Sequence, residues 1–128
     1  MKKAIVLALG LMAAQAYAAP LALCADGIPA SGAGVTTVGT NHIYAVQTGS
    51  FVVSGFAIKC SKNVHLAKDE NAIAIVIGAA SAKGKNRFQG SSGGGAITSV
   101  GVCAGAGGLC TATDATTGLD TLLLAATY

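Results

Sequence analysis

Charge is what this sequence has least of. Lysine, arginine, aspartate and glutamate make up 10% of its 128 residues, against about 25% in ordinary soluble domains. After Arg87 there is no basic residue at all, and only Asp114 and Asp120 are acidic. Metal-site spacing of the C-x2-C kind is missing, as is H-E-x-x-H, so the usual zinc signatures are excluded. No solenoid repeat is visible. The glycines do not form a phosphate loop: Gly78 to Asn86 holds one residue too many between glycines, and Asn86 stands where a magnesium-binding hydroxyl is needed. We therefore expect no enzyme and no cofactor, with no catalytic and no metal-binding residues.

The N-terminus has the layout of a secretory signal peptide over residues 1–18. Met1-Lys2-Lys3 is a positive start, Ala4 to Ala14 is apolar, and Gln15-Ala16-Tyr17-Ala18 offers a small-x-small cleavage site. The apolar run, roughly 11 residues, is too short to span a bilayer. The expected mature chain is residues 19–128, a single domain with no integral membrane span. Removing Lys2 and Lys3 leaves six basic residues facing five acidic ones, a net of about +1. That balance gives no reason to expect nucleic-acid binding. A surface so poor in charge is more readily covered by a partner than solvated, and self-association into a homo-oligomer or polymer is the expectation.

Four cysteines, Cys24, Cys60, Cys103 and Cys110, remain in the mature chain. In an oxidising compartment an even number reads as two disulfides. Three connectivities are open, and sequence order favours Cys24–Cys60 with Cys103–Cys110. The latter pair would close the Gly-rich loop Ala104–Leu109.

Residues 19–34 read as a loop-like arm. Val35–Val38, His42–Thr48 and Phe51–Cys60 read as strands, the last two joined at Gly49-Ser50. Ser61–Asn71 carries Lys62, Lys68, Asp69 and Glu70 and reads as a polar loop or one short helical turn, with His65 on the surface. Ala72–Ile77 is apolar and β-branched, a central strand. Ser81–Gly95 is a second polar stretch, which Phe88 would anchor to the core. Ala96–Cys103 alternates as a strand. Leu119–Tyr128 reads as extended, with a helix over Leu119–Ala126 as the alternative. The sum is an all-β fold, a small disulfide-bonded sandwich or barrel of short antiparallel strands.

Two sets of residues are candidates for function. Ile73, Ile75, Ile77, Leu122, Leu124 and Tyr128 are the expected core and subunit-contact residues. Lys83, Lys85 and Arg87, within the basic region that starts at Lys59, are candidates for binding an anion. They support the alternative of a monomeric secreted binding module, with basic loops 59–68 and 83–87 meeting an anionic ligand or surface.

The early cysteine pair, the strand Phe56-Ala57-Ile58-Lys59-Cys60 followed by a polar loop and an apolar strand, the poverty of charge, and a final segment ending in Tyr128 together resemble the exported β-sandwich subunits of chaperone–usher pili. That resemblance implies a fimbrial subunit at the cell surface, passing through the periplasm with an assembly chaperone and serving adhesion. It also implies donor-strand exchange, in which an extension of one subunit completes the sheet of the next. Such subunits carry an alternating arm before the first cysteine, whereas here only Ala19–Leu23 precedes Cys24 after the cleavage site. The exported protein should begin at Ala19. Mass spectrometry of the N-terminal peptide checks this, and retention of Met1–Ala18 on exported protein would contradict it.

Overall fold

The computed structural model describes residues 19–29, 35–38, 41–44 and 49–126, with side chains for 19–28 and 49–126. The leader expected at 1–18 and the contact residue Tyr128 lie outside the described residues.

Among the described residues nine strands form two antiparallel sheets. The larger contains β1 (Leu21–Ala25), the two-residue β2 (Ile28–Pro29), β6 (Val64–Glu70), β7 (Ile75–Ser81), β8 (Asn86–Ser91) and β9 (Thr98–Val102), in the order β2-β1-β6-β7-β8-β9. The smaller contains β3 (Val35–Val38), β4 (Asn41–Tyr44) and β5 (Phe56–Ile58). The all-β, disulfide-bonded class read from the sequence is the class observed. Two short helices, α1 (Ala112–Thr116) and α2 (Leu119–Ala125), complete the described elements, with a single 3-10 turn at Ala106–Gly108.

Strands β6 to β9 follow one another as a meander, and β1 pairs with the outer edge of β6. The arm expected at 19–34 is therefore partly a sheet strand. It turns back at Asp26-Gly27, whose φ angles of 50° and 77° suit the short Asp-Gly hairpin turn. Both disulfides join the pairs that sequence order favours. Cys24–Cys60 ties β1 to the chain just after β5, across a separation of 36 residues. Closing loops of these lengths is worth about 4 kcal/mol for the long bridge and about 2–3 kcal/mol for the short one.

The region 61–71 is not the expected loop. Lys62 precedes β6 and is exposed, whereas Lys68, Asp69 and Glu70 sit on β6 with largely buried side chains, on its two alternate faces. Cross-strand partners share a face, so His65, Ala67 and Asp69 lie with Ala80, Gly78 and Val76 of β7. On this face the His65 ring accepts the Asp26 amide proton at Nδ1, 3.2 Å away. On the other face Lys68 donates to the Glu70 carboxylate, and both are largely buried. His65 is thus a buried residue, not a surface one.

The core is on the first of these faces. Ala67, Ala74, Val76, Ala80, Ala115, Leu119, Leu123 and the Cys103–Cys110 bridge cluster there. Small side chains on β6 and β7 leave room for the helices to lie close. An ideal Cβ on Gly78 would stand 2.0 Å from the Ala115 carbonyl oxygen. The C-terminal segment is helical, not extended. Leu119, Leu122, Leu123 and Ala126 recur at i, i+3, i+4 and i+7, and both Leu119 and Leu123 are fully buried.

The parity of the central strand also differs from expectation. The strand begins at Ile75, and Ala74 and Val76 are buried, while Ile73 is 66% exposed and is no core residue. Ile75 and Ile77 are half-buried on the opposite face. Phe88 lies in β8 and is 43% exposed, so it anchors nothing in the core.

Gly78→Ala should destabilise the fold by about 1–3 kcal/mol, because the clash is with helix backbone and the whole of α1 must move. Urea unfolding monitored by circular dichroism measures this; an unchanged midpoint would show that α1 does not rest on β7.

Candidate functional site

Two polar nodes, one basic end and one bare sheet face stand out. The first node is Asp114 in the opening turn of α1. Its Oδ2 accepts the amide of Thr111 and the Thr111 hydroxyl, each at 2.8 Å, and its Oδ1 accepts the amide of Ala104 at 2.9 Å. This is a capping box extended to the far side of the disulfide loop. The two backbone amides, with Arg87 contributing less, hold the Asp114 carboxyl below the usual carboxylate range.

The second node is Asp69 on β6. Its Oδ1 accepts the amide of Glu70 at 2.9 Å, while Oδ2 is buried with no hydrogen-bond partner among the described residues. Burial pushes its pKa up, and the negative charge of Asp120 on α2 adds to the shift. Asp69 and Asp114 are on different elements, and among the described residues no hydrogen bond joins them. Among the described residues no three His, Cys, Asp or Glu side chains come together as a metal site.

The basic candidates separate. Lys83 and Lys85 are exposed in the β7–β8 turn, and the amide of Ala82 donates to the Asn63 carbonyl, which brings this turn beside exposed Lys62. Arg87 instead follows the parity of Ala80 onto the helix-covered face, where its Nε is buried. Lys68 is paired with Glu70 and takes no part in an exposed patch. Lys62, Lys83 and Lys85 are thus exposed together at one end of the sheet, while Lys59, also exposed, follows β5.

The remaining feature is the face of the large sheet that the helices leave open. Leu66, Lys68 and Glu70 of β6 share it with Ile75, Ile77 and Ala79 of β7, Asn86, Phe88 and Gly90 of β8, and Ser99 and Val102 of β9. Ile97 joins them beside Gly90, where an added Cβ would be 3.1 Å from its Cγ1. The chain itself covers the β6 half of this face. Ser50 donates to Glu70 Oε1 at 2.8 Å and the Val52 amide to Oε2 at 3.3 Å, holding residues 50–52 against β6. Over β8 and β9 the face is bare, with Ile97 78% and Val102 75% exposed. Between Phe88 and Thr113 there is no charged residue.

Of the expected contact residues, Ile75 and Ile77 belong to this face. Leu122 packs on the core, and Leu124 is partly exposed on α2. The structure does not bring the two sets together. Phe88, Ile97 and Val102 are the surface residues that this expected set omitted; the 26-residue uncharged stretch is the sequence signal that marks them.

The two carboxylates have opposite pH signatures. Asp69, raised in the folded state, favours folding most at low pH, and its contribution fades as pH rises from about 4 through its folded value. Asp114, depressed in the folded state, contributes fully above about pH 4 and loses that contribution as pH falls. Asp69→Asn should remove the loss of stability on the alkaline side of pH 4. Asp114→Asn should cost about 2 kcal/mol at pH 7 and flatten the acid limb. Denaturant titrations from pH 3 to 7 check both, and parallel curves for variants and parent would refute the assignments.

No known protein family, curated protein or solved structure matches the chain.

Proposed function

We propose that the chain is an exported structural subunit that self-assembles into a cell-surface filament or matrix. The observation that carries this reading is the bare, uncharged apolar half of the large sheet over β8 and β9. A monomer in water leaves Phe88, Ile97 and Val102 exposed together, and contiguous apolar patches of this kind are characteristic of interaction surfaces. The two disulfides suit an oxidising compartment outside the cytoplasm. No described helix is long and apolar enough to cross a membrane. A pilin-like route, in which an assembly chaperone shields an incomplete surface during export, is the specific form suggested by the sequence resemblance.

A second reading is favoured by the meeting of the Asn63 and Ala82 turns. It makes the protein a binding module that presents Lys62, Lys83 and Lys85 to an anionic surface.

Electron microscopy of the sheared surface fraction, labelled with antibody against residues 19–128, tests the first reading. Labelled filaments or matrix that vanish with the gene are the expected result. Unassembled protein whose binding to an anionic surface weakens with salt, and in Lys83→Ala/Lys85→Ala, would transfer the function to the basic end.

A further inference from the structure

The two helices are fastened to the sheet in different ways. α1 is held by polar and steric contacts: Asp114 caps it and also accepts the Ala104 amide, and the Ala115 carbonyl occupies the space over Gly78. Just after α1, Gln89 of β8 donates to the Thr117 carbonyl at 2.6 Å and fixes the chain at that point. Gly118 follows, with a φ of 81° that separates the path of α2 from that of α1. Beyond it, α2 rests on the core through Leu119 and Leu123, with Leu122 and Ala126 at the margin. An open groove of about 210 Å³, lined by Ser91, Gly93, Gly94, Leu122, Ala125 and Ala126, runs between α2 and the turn after β8. Lifting α2 about Gly118 would break no strand pairing and leave the α1 contacts in place.

The floor beneath α2 contains a group that opposes this seat when charged. Asp69 shares its face with Ala67 and with its cross-strand partner Val76, and both belong to the cluster that receives Leu119 and Leu123. Asp69 is only 3% exposed. The Glu70 amide occupies its Oδ1, while Oδ2 is buried with no hydrogen-bond partner among the described residues. A carboxylate oxygen left dry and unpaired is costly, and the cost falls when the group is protonated or reached by water.

The surrounding charges do not offset that cost. From α2, Asp120 faces Asp69 with the same sign, and Glu70 on β6 adds to it. Lys68 is attractive but lies on the other face of the strand, paired with Glu70. β1 and β7 carry no charged residue, and the Asp114 carboxylate of α1 is engaged with Thr111 and Ala104.

We propose that α2 is a pH-dependent cover, shut over β6 and β7 while Asp69 is protonated and opening about Gly118 when Asp69 ionises. Opening hydrates the Asp69 carboxylate and uncovers Leu119, Leu122 and Leu123 together with the floor at Ala67 and Val76. The direction follows from linkage. Burial raises the Asp69 pKa in the shut state, against the Glu70 amide and with the help of Asp120, whereas the open state restores the ordinary value. The shut state is therefore favoured fully below about pH 4, loses ground as pH rises through the raised value, and levels off above it. This device is independent of the self-assembly reading.

Amide hydrogen exchange of the intact protein from pH 4 to 7, corrected for the intrinsic pH dependence of exchange, tests the cover. Protection of residues 119–126 should fall several-fold over this range, while residues 64–70 and 75–81 keep theirs. Asp69→Asn retains an acceptor for the Glu70 amide but has no charge to bury, so protection of α2 should no longer vary with pH. Asp120→Asn, at an exposed position, should make the fall smaller.

Protection of α2 that stays constant from pH 4 to 7 overturns the proposal. So does an equal loss in residues 64–70 and 75–81, which would make the event global unfolding, or a pH dependence that survives Asp69→Asn. Should Asp69→Asn fail to fold, an undiminished fall in Asp120→Asn overturns it equally.

Discussion

The close approach of α1 to β7 is the constraint on which the rest of the molecule depends. Ala115 places its carbonyl oxygen where any side chain at position 78 would have to be. Only glycine permits that approach, and the small neighbours Ala67, Ala74 and Ala80 keep the surrounding surface flat enough for the helix. Once α1 is seated, the chain turns at Gly118, whose φ of 81° favours glycine. Leu119 and Leu123 then drop onto the same floor. A larger residue on β7 would lift the helices and leave the two leucines without a seat. Asp114 secures the arrangement from above, since it caps α1 and at the same time holds Ala104 on the far side of the disulfide loop.

This way of building a core has a consequence for the rest of the sheet. All of the helical cover is spent on one face, and the other face must be satisfied by what remains of the chain. Glu70 holds residues 50–52 over β6 by accepting hydrogen bonds from Ser50 and the Val52 amide. Nothing comparable exists on β8 or β9, where the open face offers Phe88, Gly90, Ile97, Ser99 and Val102 but no carboxylate or cation. The boundary between covered and bare sheet is therefore set by where the charges are.

The class of fold was legible from composition and spacing. Short β-branched runs, glycine turns and four cysteines are local signals, and the disulfide pairing followed chain order. The errors share one physical origin. Val64–Glu70 was hidden as a strand because its charges suggested solvent, yet Lys68 and Glu70 neutralise each other on one face while His65 takes the amide of Asp26 on the other. Both pairings need tertiary or cross-residue geometry that a local pattern does not contain. Leu119–Ala126 was ambiguous because leucine occupies both strand parities there. The i, i+3, i+4, i+7 stripe becomes decisive only when a floor such as that around Gly78 is present to receive it. Residues 73–77 showed the same ambiguity. With apolar side chains on both parities, the buried set was fixed by the size of Ala74 and Gly78, not by hydrophobicity, and the large isoleucines were turned the other way.

The two disulfides explain how such an arrangement can be stable with part of an apolar face in water. Few large side chains are fully buried; Leu23, Val76, Leu119 and Leu123 are the principal ones. A core of that size in a chain of 128 residues gives little margin once part of an apolar face is left in water. Cross-links reduce the freedom of the unfolded chain, and so they add stability without occupying surface. Cys24–Cys60 fastens the excursion that carries residues 50–52 to the sheet, and Cys103–Cys110 fixes the loop that Asp114 holds over the core. Neither bridge lies on the open half of the sheet. Covalent stabilisation is thus placed where the fold needs it, away from the apolar face over β8 and β9.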